Sequence, residues 1–381
     1  MMWEKVKIKD ITINLDNRRK PLNEQERNKI SKKKLYPYIG ANNIMDYVDE
    51  YLFDEEIICI AEDGGSWGEN QKCVVYFSEK CWVNNHAHVL SSNGKSDLKY
   101  LMYYLNAKDL TQFITGSTRG KLTKSALDSI QIPLPPLPIQ KRIAEILDTA
   151  DALRRKDEAL LKKYDELAQA IFIDMFGDPV KNEKGWEVKK LGDLFKSPVK
   201  CGPFGSALKR EEFVTFGIPV WNMDNIINYK FSKQCNLFID DKKYQDLKSY
   251  STQNGDIIIS RAGTVGKMCV VDTDIPKSII STNLIKISLD SNQINPFYFT
   301  SLMKYFGKKI GRLRTGSDNG FTHMNTGVLE GLVIPVPPII QQNVFLEVLK
   351  NIECQCQDIT FKSENLFNSL LQKAFNGELV A

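Results

Sequence analysis

Ile132-Pro133-Leu134-Pro135-Pro136, with Gln140 four places on, is the stretch that decides the architecture, because it recurs as Ile334-Pro335-Val336-Pro337-Pro338 with Gln342. The offset is 202 residues. Each copy ends a globular pattern and opens a long helical one, since proline is tolerated in a helix's first turn and fixes its direction. Working outward, Thr115-Gly116-Ser117 recurs as Thr315-Gly316-Ser317, and Glu56-Ile57-Ile58 before a Gly-rich loop recurs as Asp256-Ile257-Ile258-Ile259 before another. Trp3-Glu4-Lys5-Val6-Lys7-Ile8-Lys9-Asp10-Ile11 resembles Trp186-Glu187-Val188-Lys189-Lys190-Leu191-Gly192-Asp193-Leu194. Four matches in one order define a duplicated unit, globular domain plus helix.

After the first junction, apolar residues fall at Ile139, Ile143, Ile146 with Leu147 beside it, Ala150, Leu153, Leu160, Tyr164, Leu167 and Ile171, interrupted at Asp157. The second copy shows Phe345, Leu349, Ile352, Cys356, Ile359, Leu366 and Leu370, interrupted at Ser363. A 4-3 alternation is a coiled-coil seam. Neither helix can cover its stripe alone, so the two are expected to cover each other. An ordinary helical hairpin would show the same periodicity, but the duplication favours an antiparallel pair related by a pseudo-two-fold axis, the symmetry of a DNA duplex. Gly177 with Pro179, and Asn376-Gly377, mark the helix ends. The expected fold class is α+β, with globular domains over 1–135 and 179–337, a central helical spacer over 136–178 and a C-terminal one over 338–381.

The chain has 381 residues, 42% of them hydrophobic and 26% charged, which suits two ordinary globular domains. No apolar run reaches the roughly 20 residues of a membrane span, and the first residues lack the apolar core of a secretory signal, so a cytoplasmic protein without membrane partners is expected. The eight cysteines include no C-x-x-C pair and mostly fall in strand-like runs; buried thiols, not a disulfide framework or zinc site, are the expectation. His86 and His88 could share a strand face and bind a metal, but no neighbouring ligand completes a set. Lys+Arg against Asp+Glu run 19 to 18 over 1–138, 7 to 9 over 139–178, 22 to 15 over 179–338 and 3 to 5 over 339–381. The second globular half is the basic one.

Enzyme motifs fail one by one. Gly263 to Lys267 resembles the tail of a phosphate-binding loop, yet Arg261 and Met268 stand where a glycine and a Ser or Thr are required. Neither an Asn- or Asp-Pro-Pro-aromatic site, an H-E-x-x-H nor a G-x-S-x-G elbow occurs. A non-catalytic chain with no cofactor or metal of its own is expected. The loops instead carry amides, guanidinium groups and hydroxyls suited to base edges and phosphates: Asn42, Asn43, Trp67, Asn84, His86, Arg119 and Lys121 in the first half. In the second half they are Ser206, Lys209, Arg210, Asn222, Arg261, Thr264, Asn283, Arg314, Ser317 and Asn319. Any solvated loop could carry the same residues, and a coiled-coil interaction scaffold that does not bind DNA remains the alternative at this level.

In this order the proline junctions, Gly202-Pro203-Phe204-Gly205-Ser206, Gly255 to Arg261 with Gly263 and Gly266, and Thr315-Gly316-Ser317 resemble the specificity subunits of type I restriction-modification systems. The likeness covers nearly the whole chain. The first half departs from it, with Glu62-Asp63-Gly64-Gly65-Ser66-Trp67-Gly68 in place of the Arg-containing loop. The resemblance implies that each globular domain reads one half of a bipartite target in double-stranded DNA and that the helices set the separation. It also implies two methyltransferase (modification) subunits as partners, and restriction/translocase subunits where present. S-adenosylmethionine, Mg and ATP then belong to those partners. Helix faces near Arg154, Arg155 and Lys162 are expected as docking surface.

Overall fold

The computed structural model describes residues 3–116, 118–204, 207–262, 265–310 and 326–380. Contacts divide the chain into two compact units, Met1–Leu160 with Gln357–Ala381, and Leu161–Cys356. Both dividing points fall inside long helices, which run Leu137–Phe176 and Ile339–Phe375.

The first unit is built on an antiparallel four-stranded sheet in the order Thr12–Asn14, Ala87–Ser92, Ile57–Ala61, Val74–Phe77. Ile57–Ala61 is buried throughout because both of its faces are covered. Ile58 and Ile60 enter the main core with the Leu98–Ala107 helix, whereas Ile57 and Cys59 enter a second core on the other face. A three-stranded sheet, Ile44–Val48, Tyr36–Ile39 and Trp82–Val83, adjoins, and Lys5–Lys7 pairs with Gln131–Pro133 at the junction.

The second unit repeats this plan. Its four-stranded order is Phe195–Cys201, Leu284–Leu289, Ile257–Ser260, Met268–Val270, and its three-stranded order is Phe238–Ile239, Ile218–Trp221, Ile279–Ile280. Glu187–Lys190 pairs with Val333–Val336, and the Pro296–Ile310 helix covers the main core. The duplication in sequence is therefore a duplication of α+β topology.

The repeated glutamine explains itself. Gln140 is fully buried; its Oε1 accepts from Asp97 N at 2.8 Å, and its Nε2 donates to Lys95 O at 3.1 Å and Pro135 O at 2.8 Å. Gln342 accepts from Asn295 N at 2.8 Å and donates to Gln293 O at 3.1 Å and Pro337 O at 2.7 Å. Only a side chain with both a carbonyl and an amide can make this set. Tyr100 and Tyr298 repeat likewise, each hydroxyl donating to a junction carbonyl, Pro133 O or Pro335 O.

Within the first unit, the start of the first long helix packs on the end of the second: Ile143, Ala144 and Leu147 share a core with Leu371 and Ala374, flanked by Phe367 and Leu370. Within the second unit, the end of the first packs on the start of the second, where Phe172 and Phe176 meet Phe345 at ring distances of 5.3 and 5.6 Å. The pairing is antiparallel. Its register corrects the one counted from sequence. The inward positions of the first helix are 143, 147, 150, 154, 157, 161, 164, 168, 171 and 175, all buried or half-buried. Ile143, Leu147, Ala150, Tyr164 and Ile171 thus face inward, but Leu153, Leu160 and Leu167 are exposed, one place short of Arg154, Leu161 and Ala168. In the second helix Phe345, Leu349, Ile352, Ile359 and Leu370 are buried or half-buried. Leu366 is 46% exposed, Phe367 takes the inward place, and the supposed gap at Ser363 is buried. Arg154 tolerates an inward position because its guanidinium stacks over Phe367 at 5.0 Å and pairs with Asp151 at 2.7 Å. Arg155 also pairs with Asp151.

Gly177 caps the first helix at φ +76°, its N–H donating to Ile173 O at 2.7 Å. None of the eight cysteines is in a disulfide, and burial pushes the Cys73 and Cys269 thiols up to about 12. Among the described residues no helix is long and apolar enough to cross a membrane.

Candidate nucleic-acid interface

In the first unit, the ladder between Ile57–Ala61 and Ala87–Ser92 runs one step past the strand, with Glu62 N donating to His86 O at 2.9 Å. The Ile114–Thr115 and Lys121–Leu122 hairpin lies along this step: Leu122 N donates to Glu62 O at 2.8 Å, and Asp63 bridges to Lys121. Three of the residues expected at the interface are gathered here by two acids. Arg119 Nη2 donates to Asp63 Oδ1 at 2.7 Å, His86 Nδ1 stands 2.9 Å from the same oxygen, and Lys121 Nζ lies 3.0 Å from Glu62 Oε1. Gly64, at φ +62°, lets the guanidinium lie against the main chain; a Cβ there would stand 2.9 Å from Arg119 Nη2.

Beneath this surface sits a charged network. Arg19 Nη1 donates to Glu62 Oε2 at 2.6 Å and to Ala87 O at 2.7 Å. His88 Nδ1 stands 2.6 Å from Asp16 Oδ2 and its Nε2 stands 2.8 Å from Leu122 O. Both ring nitrogens face acceptors, an arrangement that favours the doubly protonated ring. Burial would lower the His88 pKa, but the hydrogen bonds to Asp16 and Leu122 and the charges of Asp16 and Glu62 outweigh it, and the net shift is upward. Burial likewise works against the charged forms of Asp16 and Glu62, yet His88 and the Val89 N–H hold the first below the usual carboxylate range, and Arg19 with Lys121 holds the second. The two histidines thus face carboxylates separately. Among the described residues no group of three His, Cys, Asp or Glu could hold a metal.

Two expectations in this unit are corrected. Trp67 is 7% exposed, its ring belongs to the main core and its Nε1 donates to Ala61 O at 3.1 Å, because the Gly-rich loop folds back to bury the large indole. Asn84 is buried and shapes a turn, its Oδ1 accepting from His86 N at 2.8 Å. Asn42 and Asn43 lie apart from the acidic pair by hydrogen bonding: Asn42 Nδ2 donates to Lys72 O at 3.1 Å, and exposed Asn43 closes the turn after Ile39 through its carbonyl. Sequence reasoning sought donors in loops and gave no role at the interface to the acids Asp16, Glu62 and Asp63, nor to Arg19 and His88 beneath them; the adjacent acids before two glycines were the available signal.

In the second unit the matching ladder step joins Arg261 N to Asn283 O at 2.9 Å. Ile257 and Ile259 face the main core as Ile58 and Ile60 do, so Arg261 occupies the place of Glu62, and Asn283 that of His86. Opposite charges stand at equivalent points. The Arg261 guanidinium lies 5.4 Å from the centre of the Phe204 ring, which is 63% exposed. Gly202, two residues before Phe204, lies against the Ser281 main chain, where a Cβ would stand 1.9 Å from Ser281 O. Lys209 and Arg210 are exposed at a 3-10 turn. Asn222 is a half-buried turn cap that accepts from Asp224 N at 2.8 Å and donates to Asn236 Oδ1 at 3.1 Å. Ser206, Thr264, Arg314, Ser317 and Asn319 lie outside the described residues.

The family model for the type I restriction modification DNA specificity domain matches residues 2–163 and 183–366. Relatives include a putative type I restriction enzyme specificity subunit of Haemophilus influenzae, 29% identical over 339 residues, spanning 85% of this chain and 82% of that one. The MjaVIII specificity subunit of Methanocaldococcus jannaschii is 25% identical over 351 residues, spanning 84% and 79%. In fold, the chain is similar to the S subunit of a type I system from M. genitalium, with a TM-score of 0.56 at 18% identity over 98% of this chain and 96% of that one. The chain belongs to this family of specificity subunits, the non-catalytic members of type I restriction-modification systems.

Proposed function

We propose that the chain reads a bipartite target in double-stranded DNA, one half through each globular unit, while the paired helices fix the distance between the halves and dock two methyltransferase subunits. Restriction/translocase subunits, where present, join the same framework. The functional division follows the duplication: reading domains over 1–135 and 179–337, spacers over 136–178 and 338–381. The observation that carries the reading is the repeated sheet end, which presents Glu62 and His86 with Arg119 and Lys121 in one unit and Arg261 with Asn283 and Phe204 in the other. The same scaffold offering different donors and acceptors is what two different half-sites require. The proposed contacts are His86, Arg119 and Lys121 in the first unit and Lys209, Arg210, Arg261 and Asn283 in the second. Asn42, Asn43, Asn222, Ser206, Thr264, Arg314, Ser317 and Asn319 are further candidates. Transfer of a methyl group from S-adenosylmethionine, and any ATP- and Mg-dependent work, belong to the partners, in the cytoplasm where the host DNA lies.

Methylome sequencing of cells expressing the chain with its methyltransferase subunit tests this, and a motif of two specified halves around a fixed spacer is the expected result. Adding one heptad to each helix, after Leu160 and after Cys356, adds about 10 Å of helix and is expected to change the spacer by roughly three base pairs with both halves intact. An unchanged spacer, or altered halves, would refute the ruler.

A further inference from the structure

The acidic pair at the end of the first unit's sheet is unexpected for a surface that meets phosphate. Both acids are already engaged, Glu62 by the cations of Arg19 and Lys121, Asp63 by the Arg119 guanidinium and a contact with the His86 ring. What remains outermost is the Arg119 guanidinium, whose side chain is 64% exposed although one of its nitrogens is fixed. We propose that Asp63 is a positioning residue that presents Arg119 to a guanine edge in the half-site read by the first unit, an assignment that rests on the DNA reading above.

Three observations carry it. Asp63 is a rigid support: its carboxylate is largely covered, its main chain bridges to Lys121, and its two oxygens stand 2.9 and 3.0 Å from His86 Nδ1. Gly64 supplies the space, because any side chain at that position would displace the guanidinium from Asp63. The second unit reaches the same result by another route, carrying its own guanidinium, Arg261, at the equivalent ladder step and steadying it on the Phe204 ring. Besides the covered Arg19 beneath the first unit's acids, each unit therefore offers a held guanidinium beside the same end of the equivalent sheet, drawn from the hairpin in the first and from the strand end in the second. A guanidinium has five N–H donors in a rigid fork, so a carboxylate can hold one edge while another meets guanine O6 and N7. Holding it beforehand removes rotamer freedom that binding would otherwise have to freeze.

The test is selection from randomised duplexes by the full chain, alone and in complex with its modification subunits, comparing wild type with Arg119→Ala, Arg119→Lys, Asp63→Asn and Gly64→Ala. Wild type is expected to enrich a guanine at one position of one half-site. Arg119→Ala should abolish that preference, and Asp63→Asn and Gly64→Ala should weaken it on the order of tenfold, the lower range for a bidentate base contact. Arg119→Lys should lie between. Preferences at the remaining positions of the same half-site, and throughout the other, are the internal control and should not move, which a loss of folding could not reproduce. Unchanged selection by Arg119→Ala or Asp63→Asn, or an equal loss across both halves, overturns the assignment while leaving the DNA reading standing. A wild-type chain and complex that enrich no sequence overturn the DNA reading itself, and the assignment with it.

Discussion

Replacing Gln140 by methionine keeps the shape of the side chain and removes all its hydrogen bonds. Three main-chain groups lose their partner: Asp97 N–H, Lys95 C=O and Pro135 C=O. Because Gln140 is fully buried, water cannot take its place without opening the junction. A buried group left unsatisfied costs about 1–3 kcal/mol, and three of them would reach about 3–9 kcal/mol, reduced toward the lower end as Lys95 and Asp97, near the surface, recruit solvent. We expect about 3–4 kcal/mol. For a unit of roughly 185 residues, at about 2–4 °C for each kcal/mol, the first unit's transition should fall by about 6–16 °C. Hydrogen exchange read peptide by peptide locates the loss, with protection falling in the Leu98–Ala107 helix and the Ile57–Ala61 strand. Gln342→Met should do the same to the Pro296–Ile310 helix and the Ile257–Ser260 strand. A cost below about 1 kcal/mol would show that the clasp is ornamental and that the repeated glutamine needs another explanation.

The seam register makes two leucines a matched pair: Leu147→Ala should cost about 2–5 kcal/mol in urea denaturation, whereas Leu153→Ala should cost less than about 1 kcal/mol, and equal losses would restore the register counted from sequence. His88, with its pKa raised in the folded state, contributes stability that is complete below its ordinary value near 6.5 and is lost as pH rises through the folded value. Asp16 and Glu62, whose pKa values are lowered, contribute above the ordinary carboxylate range and lose that contribution in acid. Denaturation of the first unit should accordingly be hardest in mildly acidic solution, with an alkaline fall no steeper than about 1.4 kcal/mol per pH unit for one proton, and His88→Gln should flatten that fall. Arg261→Ala is expected to cost about 1–3 kcal/mol of discrimination in the second unit's half-site alone, read in duplex competition; equal weakening at both halves would make it a structural residue.

The duplication was legible because the junction needs an unusual residue set: prolines whose rings fix the chain and a glutamine whose two kinds of polar atom are both used. Pairing of the helices was legible too, and its register only in part. Counting apolar residues favours Leu153, Leu160 and Leu167, but the inward places beside them belong to Arg154, Leu161 and Ala168, and Arg154 and Asp157 carry no apolar weight in such a count. Within each unit the inward positions follow from packing in that unit's own core, around Leu147 in the first and Phe172 in the second, which a simple count does not see. At the interface, Trp67 among its glycines and Asn84 in an Asn-Asn pair looked like loop contacts because such sequence looks solvated, yet Trp67 turns into the core and Asn84 satisfies the His86 main chain. The acids that organise the surface escaped notice for a simpler reason: a carboxylate beside a strand end acquires meaning only when the hairpin bearing Arg119, distant in sequence, comes to lie across it.

The buried glutamines grip only peptide groups, never another side chain. Mutation of the surrounding side chains therefore leaves the grip itself unaltered so long as the main chain keeps its course. A lineage could rewrite the loop side chains, position by position or wholesale, without renegotiating how each module is fastened to its helix.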